Sequence, residues 1–200
     1  MELWIATGNQ DKIKEIKMIM EPSIPSLKLH HQNELKAFSP RPEDGKTYLD
    51  NARIKAKTLK SVRDQDWVLA DDSGIEVVGL GNLPGVHSAR YAGPHARDSE
   101  NVAKMLKMMT IRNVGDRKAR FVSSIVVITP DNQEWSFEGE MWGTIAKLPT
   151  GLHGFGYDPI FIPDGQTKSL AELGPGYKLT HSHRTLALKK FLERLSTMAI

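Results

Sequence analysis

Apolar positions along this chain alternate between short continuous runs and a spacing close to 3.6, and their order predicts an α/β protein. Residues 3–6 form a short apolar run that reads as a buried strand, and the turn Thr7-Gly8-Asn9-Gln10-Asp11 follows. From about Lys12 the rhythm becomes helical, with Ile13, Ile16 and Met20 on one face until Pro22 stops it. Residues 27–31 suit a second strand. Residues 39–45, with two prolines and a glycine, read as an exposed loop. The longest helical stretch covers residues 48–63, with Leu49, Ala52, Ala56 and Leu59 facing inward and Arg53, Lys57 and Lys60 pointing elsewhere.

Residues 67–70 are apolar without interruption, the pattern of a central strand covered on both faces, and the run is expected to end at Asp71-Asp72-Ser73-Gly74. Residues 75–80 resume an extended pattern, and residues 79–93 are rich in turn formers. A helix is expected over 99–110, with Ser99 as its N-cap and Val102, Leu106 and Met109 as its stripe. Residues 121–129 and 134–142 flank Pro130-Asp131-Asn132-Gln133 and predict a hairpin. Loops dominate 151–176, and a last helix carries Leu188, Phe191, Leu192 and Leu195. No repeat or low-complexity linker divides the chain, so residues 1–200 read as one unit with two lobes.

Composition narrows the functional classes. Hydrophobic residues are 40% and charged residues 26% of the 200, as in a soluble globular protein. The absence of cysteine excludes disulfides, thiolate metal sites and a cysteine nucleophile. No run approaches the ~20 apolar residues of a membrane span, and the N-terminal residues do not pattern as a signal peptide; a cytoplasmic location is expected. The net charge of +3 suits nucleic acid or a small polyanion equally. Carboxylates nevertheless gather at Glu43-Asp44 and Asp71-Asp72, which a uniformly basic binding face would not carry.

Four segments can carry chemistry. Thr7 to Lys12 join a strand to a helix, where glycine permits close approach and free N–H groups meet an anion. The same residues also suit a plain turn with Asn9 or Asp11 as N-cap. Asp71 and Asp72 would lie where α/β sheets bind ligands, beyond a strand's carboxyl end. Strand alternation turns the two apart, so one of them faces the ligand, and a solvated turn is the other reading. Magnesium needs only one or two carboxylates, leaving its other positions to water and phosphate. Gly154-Phe155-Gly156-Tyr157-Asp158-Pro159 suits a planar ligand stacked on aromatic rings, or a core-facing aromatic turn. Lys178 with His181-Ser182-His183-Arg184 forms a donor cluster at the start of the last helix. The i, i+2 spacing of His181 and His183 points their rings apart, which disfavours zinc.

Together these segments resemble the inosine triphosphate pyrophosphatase family, the XTP/dITP pyrophosphatases. The matching stretches are Ala6-Thr7-Gly8-Asn9 with Lys12, Asn51-Ala52 with Lys55-Ala56, and Ala70-Asp71-Asp72-Ser73-Gly74. They continue through Pro84-Gly85, Ser88-Ala89-Arg90-Tyr91-Ala92-Gly93, residues 154–161 and Ser182-His183-Arg184, in family order and over nearly the whole chain. The resemblance implies a long twisted mixed sheet flanked by helices, two lobes with a central active-site cleft, and a homodimer. It implies hydrolysis of ITP, dITP and XTP to monophosphate and pyrophosphate with Mg2+, which cleanses the nucleotide pool. Thr7, Gly8, Asn9, Gln10, Asp11, Lys12 and Lys55 would hold the triphosphate. Asp72 would be the general base and a metal ligand, Glu43 a second metal position, and Ser73 a substrate contact. Phe155, Gly156, Tyr157, Asp158, Lys178, His183 and Arg184 would form the base pocket, with Arg184 a ligand donor and not a core residue. Asp71, pointing away from the metal, would tolerate neutralisation better than Asp72.

Three positions depart from the family pattern: Asp50 replaces the usual glutamate, His181 stands at a usually apolar position, and Leu152-His153 replace smaller residues. The last two border the base pocket and bear on substrate preference. Two other readings are a Maf-type pyrophosphatase acting on modified pyrimidine triphosphates and a non-enzymatic nucleic-acid-binding domain. The aromatic-glycine loop and Ser-His-Arg disfavour the first. The paired carboxylates disfavour the second, so no stable nucleic-acid binding is expected.

Overall fold

The computed structural model describes residues 1–198. Its strands are β1 (Glu2–Ile5), β2 (Lys28–His31), β3 (Trp67–Val77), β4 (Leu83–Pro84), β5 (Lys118–Ile128), β6 (Glu134–Ile145) and β7 (Phe161–Pro163). Its α-helices are α1 (Gln10–Met20), α2 (Tyr48–Lys60), α3 (Asp98–Ile111), α4 (Leu170–Leu173), α5 (Pro175–His181) and α6 (His183–Ser196). The sheet runs in the order β2-β1-β3-β5-β6-β7, with β4 paired to β3. It is mixed: β1 lies parallel to β2 and β3, whereas β3–β4 and β6–β7 are antiparallel. The expected α/β architecture holds.

The chain forms two compact units. One comprises Met1–Asp72, Ser123–Gly139 and Arg184–Ile200, and the other Ser73–Val122 and Glu140–His183. In the first unit β1, β3 and β5 are apolar on both faces, the arrangement that gives continuous apolar runs. Leu3, Ile5, Leu69, Ile125 and Val127 pack with Ile16 and Met20 of α1 and Ala187, Leu188 and Phe191 of α6. The alternate residues Trp4, Ala6, Val68, Ala70, Val126 and Ile128 pack with Ala52, Ala56 and Leu59 of α2. In the second unit Ile75 and Val77 join Val102, Met105 and Met109 of α3, with Phe121, Met141 and Phe161, in a single core.

Several boundaries differ from expectation. β3 does not end at Asp71; it continues to Val77 through Asp71, Asp72 and Ser73. Burying two carboxylates in a strand is tolerated because each finds charged partners from distant parts of the chain. Ser99 does not cap α3, which begins one residue earlier; Glu100 instead accepts the Arg97 N–H at 2.7 Å. Ser182 separates α5 from α6, with extended dihedrals between the two helices. Lys60 is buried, its ammonium donating to the carbonyls of Asp64 and Asp66 at 2.7 and 2.9 Å.

Candidate active site

The alternation of β3 decides where the two aspartates go. Asp71 has the parity of Leu69 and so faces α1 and α6; Asp72 has the parity of Ala70 and faces α2. Asp71 is fully buried. Its carboxylate meets Lys12 Nζ at 2.8 Å and Arg184 Nη2 at 3.2 Å, and accepts the Ser123 hydroxyl at 2.5 Å. Burial alone would raise its pKa, but Arg184, Lys12 and Ser123 hold it well below the usual carboxylate range. Arg184 also pairs with Glu15. Burial opposes its charge, yet Asp71 and Glu15 keep its pKa above the ordinary guanidinium value.

Asp72 belongs to a different constellation. Its Oδ1 accepts from Lys55 Nζ at 2.8 Å and its Oδ2 from the Asn51 amide at 3.3 Å. Lys55 also donates to Glu43 at 3.3 Å, so two carboxylates from separate segments converge on one ammonium. Burial pushes the Asp72 carboxyl up against the opposing pull of Lys55 and Lys12. Burial lowers Lys55, but Asp72 and Glu43 outweigh it and raise its pKa. Asn51 fixes this corner twice, since its side-chain oxygen accepts the Gly45 N–H at 2.8 Å.

The turn before α1 reaches the paired aspartates through Lys12, which meets Asp71 at 2.8 Å. Asn9 caps the helix, its side-chain oxygen accepting the N–H groups of Asp11 and Lys12 at 2.9 and 3.0 Å. Thr7 is buried and accepts the Asn9 N–H, whereas Gly8, Asn9, Gln10 and Asp11 are exposed. Lys12 turns inward to Asp71. Burial lowers its pKa, Asp71 opposes that, and the charges of Lys55 and Arg184 add to the lowering.

The aromatic-glycine segment and Lys178 assemble within the second unit. Asp158 accepts the Phe155 N–H at 2.9 Å and the Lys178 ammonium at 2.8 Å. That ammonium lies 4.4 Å from the centre of the Phe155 ring, a cation–π contact. The Tyr157 hydroxyl donates to the Ser88 carbonyl at 2.8 Å, and burial raises its pKa. His183 stacks on Phe121 at 4.8 Å with the planes 10° apart. Ser73 is half-buried in the same unit.

Arg184 requires a correction. The expectation that it is not core is overturned: it is 1% exposed, and its guanidinium joins Glu15 and Asp71 inside the first unit. The sequence reading also passed over Glu15, Ser123 and Asp98. Asn51 appeared in it only as part of a matching motif. No local pattern marks Glu15 or Ser123, because their partners lie 169 and 52 residues away.

Among the described residues no group of three or more histidines, aspartates or glutamates forms a metal cluster. Magnesium asks for less than that. The Glu43–Lys55–Asp72 arrangement offers two hard oxygen donors already drawn to one positive charge, which fits a magnesium position.

A fold and a site of this kind define a nucleotide-phosphate enzyme, and the relatives are more specific. Residues 3–194 match the Ham1 family, and the chain belongs to it. It is 60% identical over 198 residues to the dITP/XTP pyrophosphatase of Bdellovibrio bacteriovorus, covering 99% of both chains. It is 39% identical to the dITP/XTP pyrophosphatase of Corynebacterium glutamicum, covering 100% of this chain and 98% of that one. The solved Ham1 protein of Staphylococcus aureus superposes with a TM-score of 0.87 at 36% identity, over 99% of this chain and 100% of that one.

Proposed function

We infer that this protein hydrolyses non-standard purine nucleoside triphosphates, ITP, dITP and XTP, to the nucleoside monophosphate and pyrophosphate, removing them before they enter DNA or RNA. The observation that carries this reading is the convergence of Glu43 and Asp72 on Lys55, in a chain 60% identical to a dITP/XTP pyrophosphatase. Glu43 and Asp72 would hold magnesium, which supplies charge neutralisation and polarises the phosphoryl oxygens when bound. Lys55 and Lys12 place positive charge where the leaving pyrophosphate develops negative charge. Gly8, Asn9, Gln10 and Asp11 present the exposed rim of the α1 N-terminus to the outer phosphates, with Thr7 buried beneath them and accepting the Asn9 N–H. Asp72 accepts the proton of the attacking water.

The purine is read by residues of the second unit. Phe155 stacks with it, Gly156 allows close approach, and Tyr157 and Asp158 fix the turn that presents the ring. Lys178 and His183 supply donors to a 6-oxo group, with Ser73 a further substrate contact. Adenine would place a 6-amino donor against those donors, and a site of this type rejects such a mismatch by roughly 10⁴–10⁵-fold. Arg184 acts by holding Asp71, which orders Lys12. A homodimer acting in the cytoplasm completes the proposal; sedimentation equilibrium would then give twice the chain mass of 22.4 kDa.

Incubation with ITP, XTP, dITP, GTP and ATP in magnesium, with separation of pyrophosphate from orthophosphate, tests the reading. The first three are expected to give monophosphate and pyrophosphate, and ATP almost none. Stepwise orthophosphate release with IDP accumulating would refute it, as would equal turnover of ATP.

A further inference from the structure

Asp98 is the first residue of α3, and its carboxylate accepts the Gly156 N–H at 2.6 Å. The preceding amide, that of Phe155, is held by Asp158 at 2.9 Å. These two N–H groups belong to the peptide planes on either side of the Phe155 Cα. Peptide planes are rigid, so anchoring both fixes φ and ψ of Phe155 and leaves only the side-chain torsions to aim its ring.

The two anchors differ in kind. Asp158 is three residues away and part of the turn itself, whereas Asp98 is 58 residues away and ties the turn to α3. The turn is in need of such a tie. Gly154 and Gly156 have φ of +78° and +62°, a conformation glycine adopts readily and leaves as readily. The space that a Cβ at Gly156 would occupy is open, so no side chain packs against that face of the residue. The carboxylate is well chosen for the task, because it sits in the first turn of α3, where the helix dipole favours negative charge. Its bond to Gly156 is short and charge-assisted. Asp98, Phe155 and Gly156 together line a cavity of about 680 Å³, also bordered by His153 and Leu106. That volume lies within the ~300–1,000 Å³ of small-molecule sites.

We propose that Asp98 is a positioning residue for purine recognition: by fixing the Gly156 amide it sets the direction of the Phe155 ring. The proposal rests on the pyrophosphatase reading. It implies that Asp98 governs affinity for the purine end of the substrate and leaves the phosphate end unaffected.

The test uses the full-length protein and the variants Asp98→Ala and Asp98→Asn. For Asp98→Ala the KM for ITP is expected to rise roughly tenfold, which corresponds to about 1.4 kcal/mol. Its kcat should stay within about twofold of the parent value, the pattern of a binding interaction made equally in ground and transition states. Inhibition by inorganic pyrophosphate, which lacks a base, should be unchanged. Asp98→Asn keeps an oxygen that can accept the same N–H and should recover most of the affinity. Hydrogen exchange at the Gly156 amide should quicken in Asp98→Ala alone. An unchanged KM in Asp98→Ala would overturn the proposal, as would a parallel loss of pyrophosphate inhibition, an Asp98→Asn variant as impaired as Asp98→Ala, or unaltered Gly156 exchange. Failure of the parent protein to turn over ITP would instead refute the pyrophosphatase reading, while Gly156 exchange would still decide whether Asp98 holds the turn.

Discussion

Asp72→Asn is expected to lower ITP turnover by about 10²–10⁴-fold from loss of the general base, with loss of a metal position adding to that. The substitution preserves size, and an asparagine oxygen can still accept from Lys55, which in the parent lies 2.8 Å from Asp72. The new NH2 group then faces Asn51, whose contact with Asp72 is the longer one at 3.3 Å. Lys55 keeps Glu43 at 3.3 Å, so the fold should survive. Steady-state turnover in magnesium, with a circular dichroism melt on the same sample, checks both halves. Near-parental turnover in a folded Asp72→Asn variant would show that the proton acceptor is another group.

Arg184→Ala is expected to act on stability first. The change removes one ion-pair partner from the fully buried Asp71, which keeps Lys12 and Ser123, and one from Glu15. Removing one partner of a buried ion pair costs about 3–5 kcal/mol, because the charge left behind stays out of water. At ~2–4 °C per kcal/mol for a chain of this size, the midpoint should fall by roughly 6–20 °C. Asp71→Asn should resemble it, since it removes the charge that pairs with both Lys12 and Arg184. Strand parity turns Asp71 away from the side on which Asp72 meets Lys55, but the burial and pairing of Asp71 make its neutralisation a structural lesion. Calorimetry on Arg184→Ala decides the matter, and a midpoint within about 2 °C of the parent would contradict the buried-network account.

Much of this was legible in the sequence because the first unit obeys strand parity. The apolar run at Trp67 to Ala70 foretold a strand covered on both faces, and the same parity separates Asp71 from Asp72. The end of that strand was misread because local pattern treats Asp-Asp-Ser-Gly as turn chemistry. What extends β3 to Val77 is compensation by Lys12, Lys55, Ser123 and Arg184, none of which is near in sequence. The same blindness hid Arg184 in the core, since an arginine is internal only when acids meet it there. Lys60 escaped because its partners are backbone carbonyls, which any sequence offers. The segment 154–158 was recognised by composition, but its tie to Asp98 depends on where α3 begins, a boundary that Ser99 obscured.

The central claim is that water attacks the α-phosphorus, with pyrophosphate leaving as one piece. Hydrolysis of ITP in 18O-labelled water, followed by mass analysis of both products, tests it most directly. The account predicts one labelled oxygen in the phosphate of IMP and none in pyrophosphate. Label in pyrophosphate, or labelled orthophosphate as the first product, would contradict it.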